Sequence, residues 1–185
     1  MTPVITQLRD MMPIRPLSQA EALRMAELQA TKLLLLSGIE GGPVPERIVT
    51  GLPRIQVERL YPSPVSGAAQ WSKGRWLILI NGVEPQGRQR FSLVHEFKHV
   101  LDNPFMSVIY PAWNGMSSHD RAEQVCDYFA GCVLMPRPWV KRAWGDGVQE
   151  VRPLAKLFGV SPTAMQVRLL QIGLLEPVAR CQVAA

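Results

Sequence analysis

His95 and His99 stand four residues apart, with Glu96 between them, in the run His95-Glu96-Phe97-Lys98-His99. On a helix, residues i and i+4 share one face about one turn apart, so both imidazoles can reach one metal ion. Glu96 then lies one step round the helix. There it can take a proton from a water at the metal's open position without ligating the ion itself. An HExxH run of this kind implies a zinc ion (Zn2+) and a hydrolytic reaction with Glu96 as general base. Two of the chain's three histidines fall in the motif.

A hydrolytic zinc site needs a third protein ligand and one open position. The extended motif HExxHxxGxxH would require Gly at 102 and His at 105, but the chain has Asp102 and Phe105. Glu123 is the better candidate, because Glu123 and Asp127 are themselves i and i+4 on the next expected helix. One can ligate while the other accepts the far ring N–H of a histidine, which fixes its tautomer and raises its basicity. This is the gluzincin pattern, with His95, His99 and Glu123 on the metal and Asp127 behind a histidine. Asp102 and Asp120 remain as rivals; Asp102 shares the helix face of both histidines. His119, Tyr110 and Tyr128 are the candidate donors to a developing oxyanion. Cys126 and Cys132 fall beside the metal face, but three N/O ligands make a thiolate unnecessary.

These residues need particular elements to hold them. The stretch RFSLVHEFKHVLD has helical spacing, and Pro104 stops it. A second helix is expected from about Asp120 to Leu134, closed by Pro136 and Pro138. Upstream, residues 1–17 read as an irregular leader. Ser18 and Glu21 form a capping-box pattern that opens a long helix ending near Gly38. Residues 54–60 alternate as a half-buried strand, and two runs around 68–71 and 76–81 flank the turn at 72–74, giving a hairpin. Near the C-terminus two short helices meet at Gly159, with Ser161 and Pro162 suited to start the second. The expected fold is α+β: a small antiparallel sheet packed on the HExxH helix, a minimal zincin, followed by a segment resembling a helix-turn-helix. Residues 18–140 form the metallopeptidase domain in this reading, and 141–178 the helical segment packed on it.

Three blocks, WLILIN, RQRFSLVHEFKHVLD and EQVCDYFAGCVLMP, resemble the ImmA/IrrE family of metallopeptidases. Phe129-Ala130 and Leu134-Met135-Pro136 match the family pattern, and Glu123 falls on its ligand position. The chain departs from that pattern at Cys126, usually Ala, and at Asp127, usually Asn. LAKLFGVSPTAMQVRLLQIGLL is similar to the family's C-terminal helical segment. The resemblance implies a gluzincin-like fold and a zinc endopeptidase; for many members it also implies a substrate that is an HTH-type transcriptional repressor.

The 185-residue chain is 47% hydrophobic and 19% charged, which fits a folded domain and excludes a disordered tail. Its net charge of +5 is spread along the chain with no basic run, so it favours an acidic partner without naming one. Cys126, Cys132 and Cys181 are odd in number and form no CxxC pair, which points to a reducing, cytoplasmic setting. No signal peptide and no membrane span are read. A competing reading takes Thr163, Gln166, Arg168 and Gln171 as contacts to DNA. The chain would then be a DNA- or repressor-binding module with a vestigial zinc site.

Overall fold

The computed structural model describes residues 2–176. Within them the leader is not irregular: Val4–Arg9 forms a short helix, α1, with Leu8 buried. Its six residues are too few to be stable alone, and tertiary contacts hold it. Gln29 Nε2 donates to Leu8 O at 2.8 Å, and Arg9 donates to Val100 O at 2.7 Å and Leu101 O at 3.2 Å. Ser18 and Glu21 make both hydrogen bonds of a capping box and open α2, Gln19–Leu36. A single turn, α3 (Arg47–Thr50), precedes the sheet.

The sheet is mixed, not antiparallel. Its strands are β1 (Ile55–Leu60), β2 (Gly67–Ser72) and β3 (Arg75–Asn81), in the order β1-β3-β2. β2 and β3 form the expected hairpin, but β1 pairs with β3 in parallel. Pro62 and Pro64 interrupt pairing straight after β1, since neither carries an N–H. The chain therefore crosses to the far edge before β2 begins. β3, the most apolar strand, takes the central place and buries Ile78 and Ile80 against the helices.

Two long helices carry the rest of the core. α4 (Gln86–Asp102) and α6 (Ser118–Leu134) are separated by the short α5, Met106–Ile109. α4 lies on β2 and β3 and packs along α6, which packs in turn along α2. The fold is thus α+β, with helices stacked on one small sheet. Pro136 and Pro138 do end α6, but Pro138 then sits in the first turn of α7, Arg137–Gly145. A missing N–H costs nothing there, so one proline pair closes one helix and starts another.

Two further helices, α8 (Val151–Phe158) and α9 (Pro162–Gln171), meet at Gly159. Gly159 has φ of +63°, and a Cβ there would stand 2.0 Å from Arg90 Nη1. Arg90 on α4 donates to Gly159 O at 2.9 Å, so glycine is required by both backbone and packing. Arg168, read from sequence as a DNA contact, is only 2% exposed. Its Nε donates to Met135 O at 3.0 Å and ties α9 to the end of α6. Residues 177 and 178 of the expected C-terminal segment, and Cys181, lie outside the described residues. Among the described residues no helix is long and apolar enough to cross a membrane.

One polar network runs through the core. Lys98, 0% exposed, donates to Asp102 Oδ1 at 2.6 Å and to Gln29 Oε1 at 2.8 Å. Tyr110 donates to Asp102 Oδ2 at 2.6 Å. Asp102→Ala would leave a buried ammonium unpaired, and breaking such a pair on one side costs about 3–5 kcal/mol. Urea denaturation should show that loss, whereas the double change Lys98→Met, Asp102→Leu should recover most of it.

Candidate metal centre

α4 presents His95 and His99 on one face, their Nε2 atoms 3.1 Å apart. The rings stand edge to face, at 62° with centroids 4.9 Å apart. The facing helix starts where Ser117 accepts from the Asp120 N–H at 3.0 Å. Glu123 follows one turn later. Its Oε2 lies 3.3 Å from His95 Nε2 and its Oε1 3.1 Å from His99 Nε2. One further turn along, Asp127 Oδ1 lies 2.8 Å from His95 Nδ1. A carboxylate only accepts, so Nδ1 carries the proton and the Nε2 lone pair faces the other donors. Two i, i+4 pairs, one from each helix, therefore close on each other. Two imidazole nitrogens and a carboxylate at these distances repel unless a proton or a cation lies between them, so the donor set suits a metal ion.

The surroundings divide the two histidines. Burial disfavours charge on His95, but the hydrogen bond and charge of Asp127, with Glu123 and Glu96, more than offset it, and its pKa is raised. His99 goes the other way, lowered by burial and by the nearby His95. Burial, with repulsion from Glu123, raises Glu96 above the usual carboxylate range despite the attraction of His95. A carboxylate pushed up in this way is a better proton acceptor.

The rival ligands are committed elsewhere. Both Asp102 oxygens are engaged by Lys98 and Tyr110 inside the core. Asp120 accepts from Ser117 at the start of α6. Of the oxyanion candidates, Tyr110 donates to Asp102, and Tyr128 packs under Arg168, whose guanidinium carbon is 5.5 Å from its ring centre. His119 alone of the three stands at the site, 80% exposed, with Nδ1 3.8 Å from Glu123 Oε1. Cys126 is buried, its Sγ within 4.8 Å of a ring nitrogen of both His95 and His99, so it is the one thiol close enough to join a metal there among the described residues. Burial, reinforced by Asp102, pushes its thiol well up.

Five neighbours were not read from the sequence. Ser66 and Gly67, leading into β2, and Arg88, Phe91 and Ser92 on α4 line the cavity of about 270 Å³ that holds Glu96 and Glu123. A Cβ on Gly67 would stand 2.9 Å from Glu96 Cγ and Oε1, so the strand approaches the glutamate as closely as a backbone can. Arg88 was legible in principle: Arg88, Ser92, His95 and His99 follow one helical stripe. Gly67 was not, because no local pattern tells which strand crosses which helix.

The sequence profile of a peptidase family, described as the IrrE N-terminal-like domain, matches residues 53–170. The chain belongs to the ImmA/IrrE family. The matched span contains every residue of the centre and runs from just ahead of β1 into α9. The chain is 29% identical over 151 aligned positions to the radiation response metalloprotease IrrE of Deinococcus radiodurans, covering 78% of this chain and 44% of that protein. It thus spans less than half the length of this curated ImmA/IrrE relative. Among solved structures, a Mycobacterium tuberculosis transcriptional regulator matches with a TM-score of 0.66 at 18% identity, over 89% of this chain and 50% of that one. That likeness concerns the fold alone. The family profile is that of a peptidase domain, which agrees with a donor set suited to a metal.

Because Asp127 is what holds the His95 pKa up against burial, Asp127→Asn in the metal-free protein should lower it. Imidazole proton NMR across about pH 5–8, where histidines titrate, would follow the shift, with Asp120→Asn as the control that leaves His95 in place.

Proposed function

We propose that this chain is a zinc-dependent endopeptidase that cleaves a regulatory protein, such as an HTH-type transcriptional repressor, in the cytoplasm. The observation that carries the reading is the convergence of His95 Nε2, His99 Nε2 and the Glu123 carboxylate at 3.1, 3.1 and 3.3 Å. Zinc bonds of about 2.0–2.1 Å in a tetrahedron set neighbouring ligands about 3.3–3.4 Å apart, close to these separations. His95, His99 and Glu123 would hold the ion. When bound, zinc supplies Lewis acidity, polarising the scissile carbonyl and making a water acidic near neutral pH.

The chain's own residues supply the rest. Glu96 accepts the proton of the attacking water and returns it to the leaving amine. Asp127 holds the His95 ring in one tautomer and orientation. Of the three oxyanion candidates, His119 is the one beside Glu123 and would donate to the oxyanion. β2 is an edge strand with one unpaired side, and a polypeptide can add to such an edge by backbone hydrogen bonds. Gly67 keeps that strand close to Glu96. Residues 18–140 carry the metal, and the segment 141–178 packs on them as far as it is described.

The regulatory substrate rests on the family resemblance and on the character of one relative, a radiation response metalloprotease. Cys126 and Cys132 are both free and buried, in keeping with a reducing compartment. The burial of Arg168 removes the main cation from the competing DNA-binding reading.

Elemental analysis of the purified protein should find about one zinc per chain. Glu123→Ala should lose it, and Asp120→Ala should keep it. Glu96→Gln should retain zinc but lower turnover about 10²–10⁴-fold, the usual contribution of a general base. Zinc retained without Glu123 would overturn the ligand set. Full activity in Glu96→Gln would return the chain to the binding-module reading.

A further inference from the structure

The cavity at the metal centre adjoins a second one. Arg88, Phe91 and Asp127 line both, and the second, of about 240 Å³, runs on between α6 and α9. Its apolar surfaces are Phe91, Met135, Ala164 and Val167. Small-molecule sites usually measure about 300–1,000 Å³, so this space suits one large side chain better than a whole ligand.

Gly131, also on its lining, is the informative residue. It sits inside a 17-residue helix, where glycine is the least favourable residue after proline. Nothing local asks for it. Its φ is not among the positive ones, and a Cβ built on it would meet nothing closer than Arg168 Cδ at 3.8 Å. The three atoms nearest that Cβ belong to Arg168, Gln171 and Met135, all on the cavity lining. A side chain at 131 would therefore project into the cavity. Glycine here preserves room, at the expense of helix stability.

We propose that this cavity is the specificity pocket of the metal centre and takes one large apolar side chain (Leu, Phe or Met) of a polypeptide laid across the site, beside the bond to be cut. The inference rests on the peptidase reading and extends it to the substrate. The shared walls Arg88, Phe91 and Asp127, which set the cavity against the metal centre, argue for that occupant. So does β2, because a strand added to it turns alternate side chains to opposite faces. The inference also gives α9 a different role. Thr163, Arg168 and Gln171, three of the four residues read as DNA contacts, line this pocket instead.

A random-sequence peptide library tests it in two ways. The zinc-loaded protein cuts the library, with cut sites read by mass spectrometry, and immobilised Glu96→Gln protein selects peptides by binding alone. Leu, Phe and Met should be enriched at one fixed position in both. Gly131→Leu, and separately Val167→Trp at a half-exposed position, should reduce that preference about tenfold, the usual effect of altered fit in an apolar pocket, and favour Gly, Ala and Ser. Thermal melting checks that each variant folds, and Val167→Trp carries the test if Gly131→Leu does not. Cutting whose side-chain profile is the same in the parent and in a folded variant overturns the pocket and leaves the peptidase. Selective binding that depends on Gly131 or Val167, with no cutting, overturns the peptidase and leaves the pocket. Neither binding nor cutting overturns both.

Discussion

The geometry of the metal centre depends on an ion pair with no access to water. Lys98 lies between the two motif histidines in sequence, and its ammonium is buried against Asp102, Gln29 and the Phe129 ring. α4 must leave the stripe of Arg88, Ser92, His95 and His99 facing a cleft, so it cannot be anchored by apolar packing all round. Directional bonds from Lys98 and Asp102 to α2 and to Tyr110 set its rotation, and Arg9 engages the carbonyls of its last turn. A buried pair adds little net stability compared with well-packed apolar residues. What it adds to the apolar face of Leu93, Val94, Phe97, Val100 and Leu101 is a set of directional bonds on the side of α4 turned away from the histidines' cleft.

With α4 held, the chemistry is set by what α6 brings across. Glu123 reaches both histidines and Asp127 reaches the back of one, so the two imidazoles are not equivalent. His95 is drawn toward its charged form by carboxylates while His99 is pushed away from it. Glu96, Glu123 and Asp127 gather negative charge in a cleft of a chain whose net charge is +5. That local reversal suits a cation.

The C-terminal helices are part of the same body. Arg90 of α4 reaches into the α8–α9 turn at Gly159, and Arg168 of α9 reaches back to Met135 at the end of α6. Arg90 donates only to backbone carbonyls, and Arg168 to the Met135 carbonyl and to Gln171 Oε1, inside the protein, where an unpaired charge would be costly. Helices α8 and α9 thereby pack beside α4 and α6, and the family span runs through α8 into α9.

Local spacing determined a good deal. The HExxH run, the Ser18–Glu21 capping box, the β2–β3 hairpin and the helix start at Ser161 depend on residues within a turn or two of each other, so one dimension suffices to read them. The choice among Glu123, Asp102 and Asp120 was different. All three carry the same functional group, and the helical spacing of Asp102 is as good as that of any ligand. Only the folded chain turns Asp102 inward to Lys98 and Tyr110 and swings Glu123 over the histidines. The place of β1 beside β3, the approach of Gly67 to Glu96 and the burial of Arg168 are likewise contacts between segments far apart in the chain. Their energies come from packing and from pairing buried polar groups, which no short stretch of sequence encodes by itself.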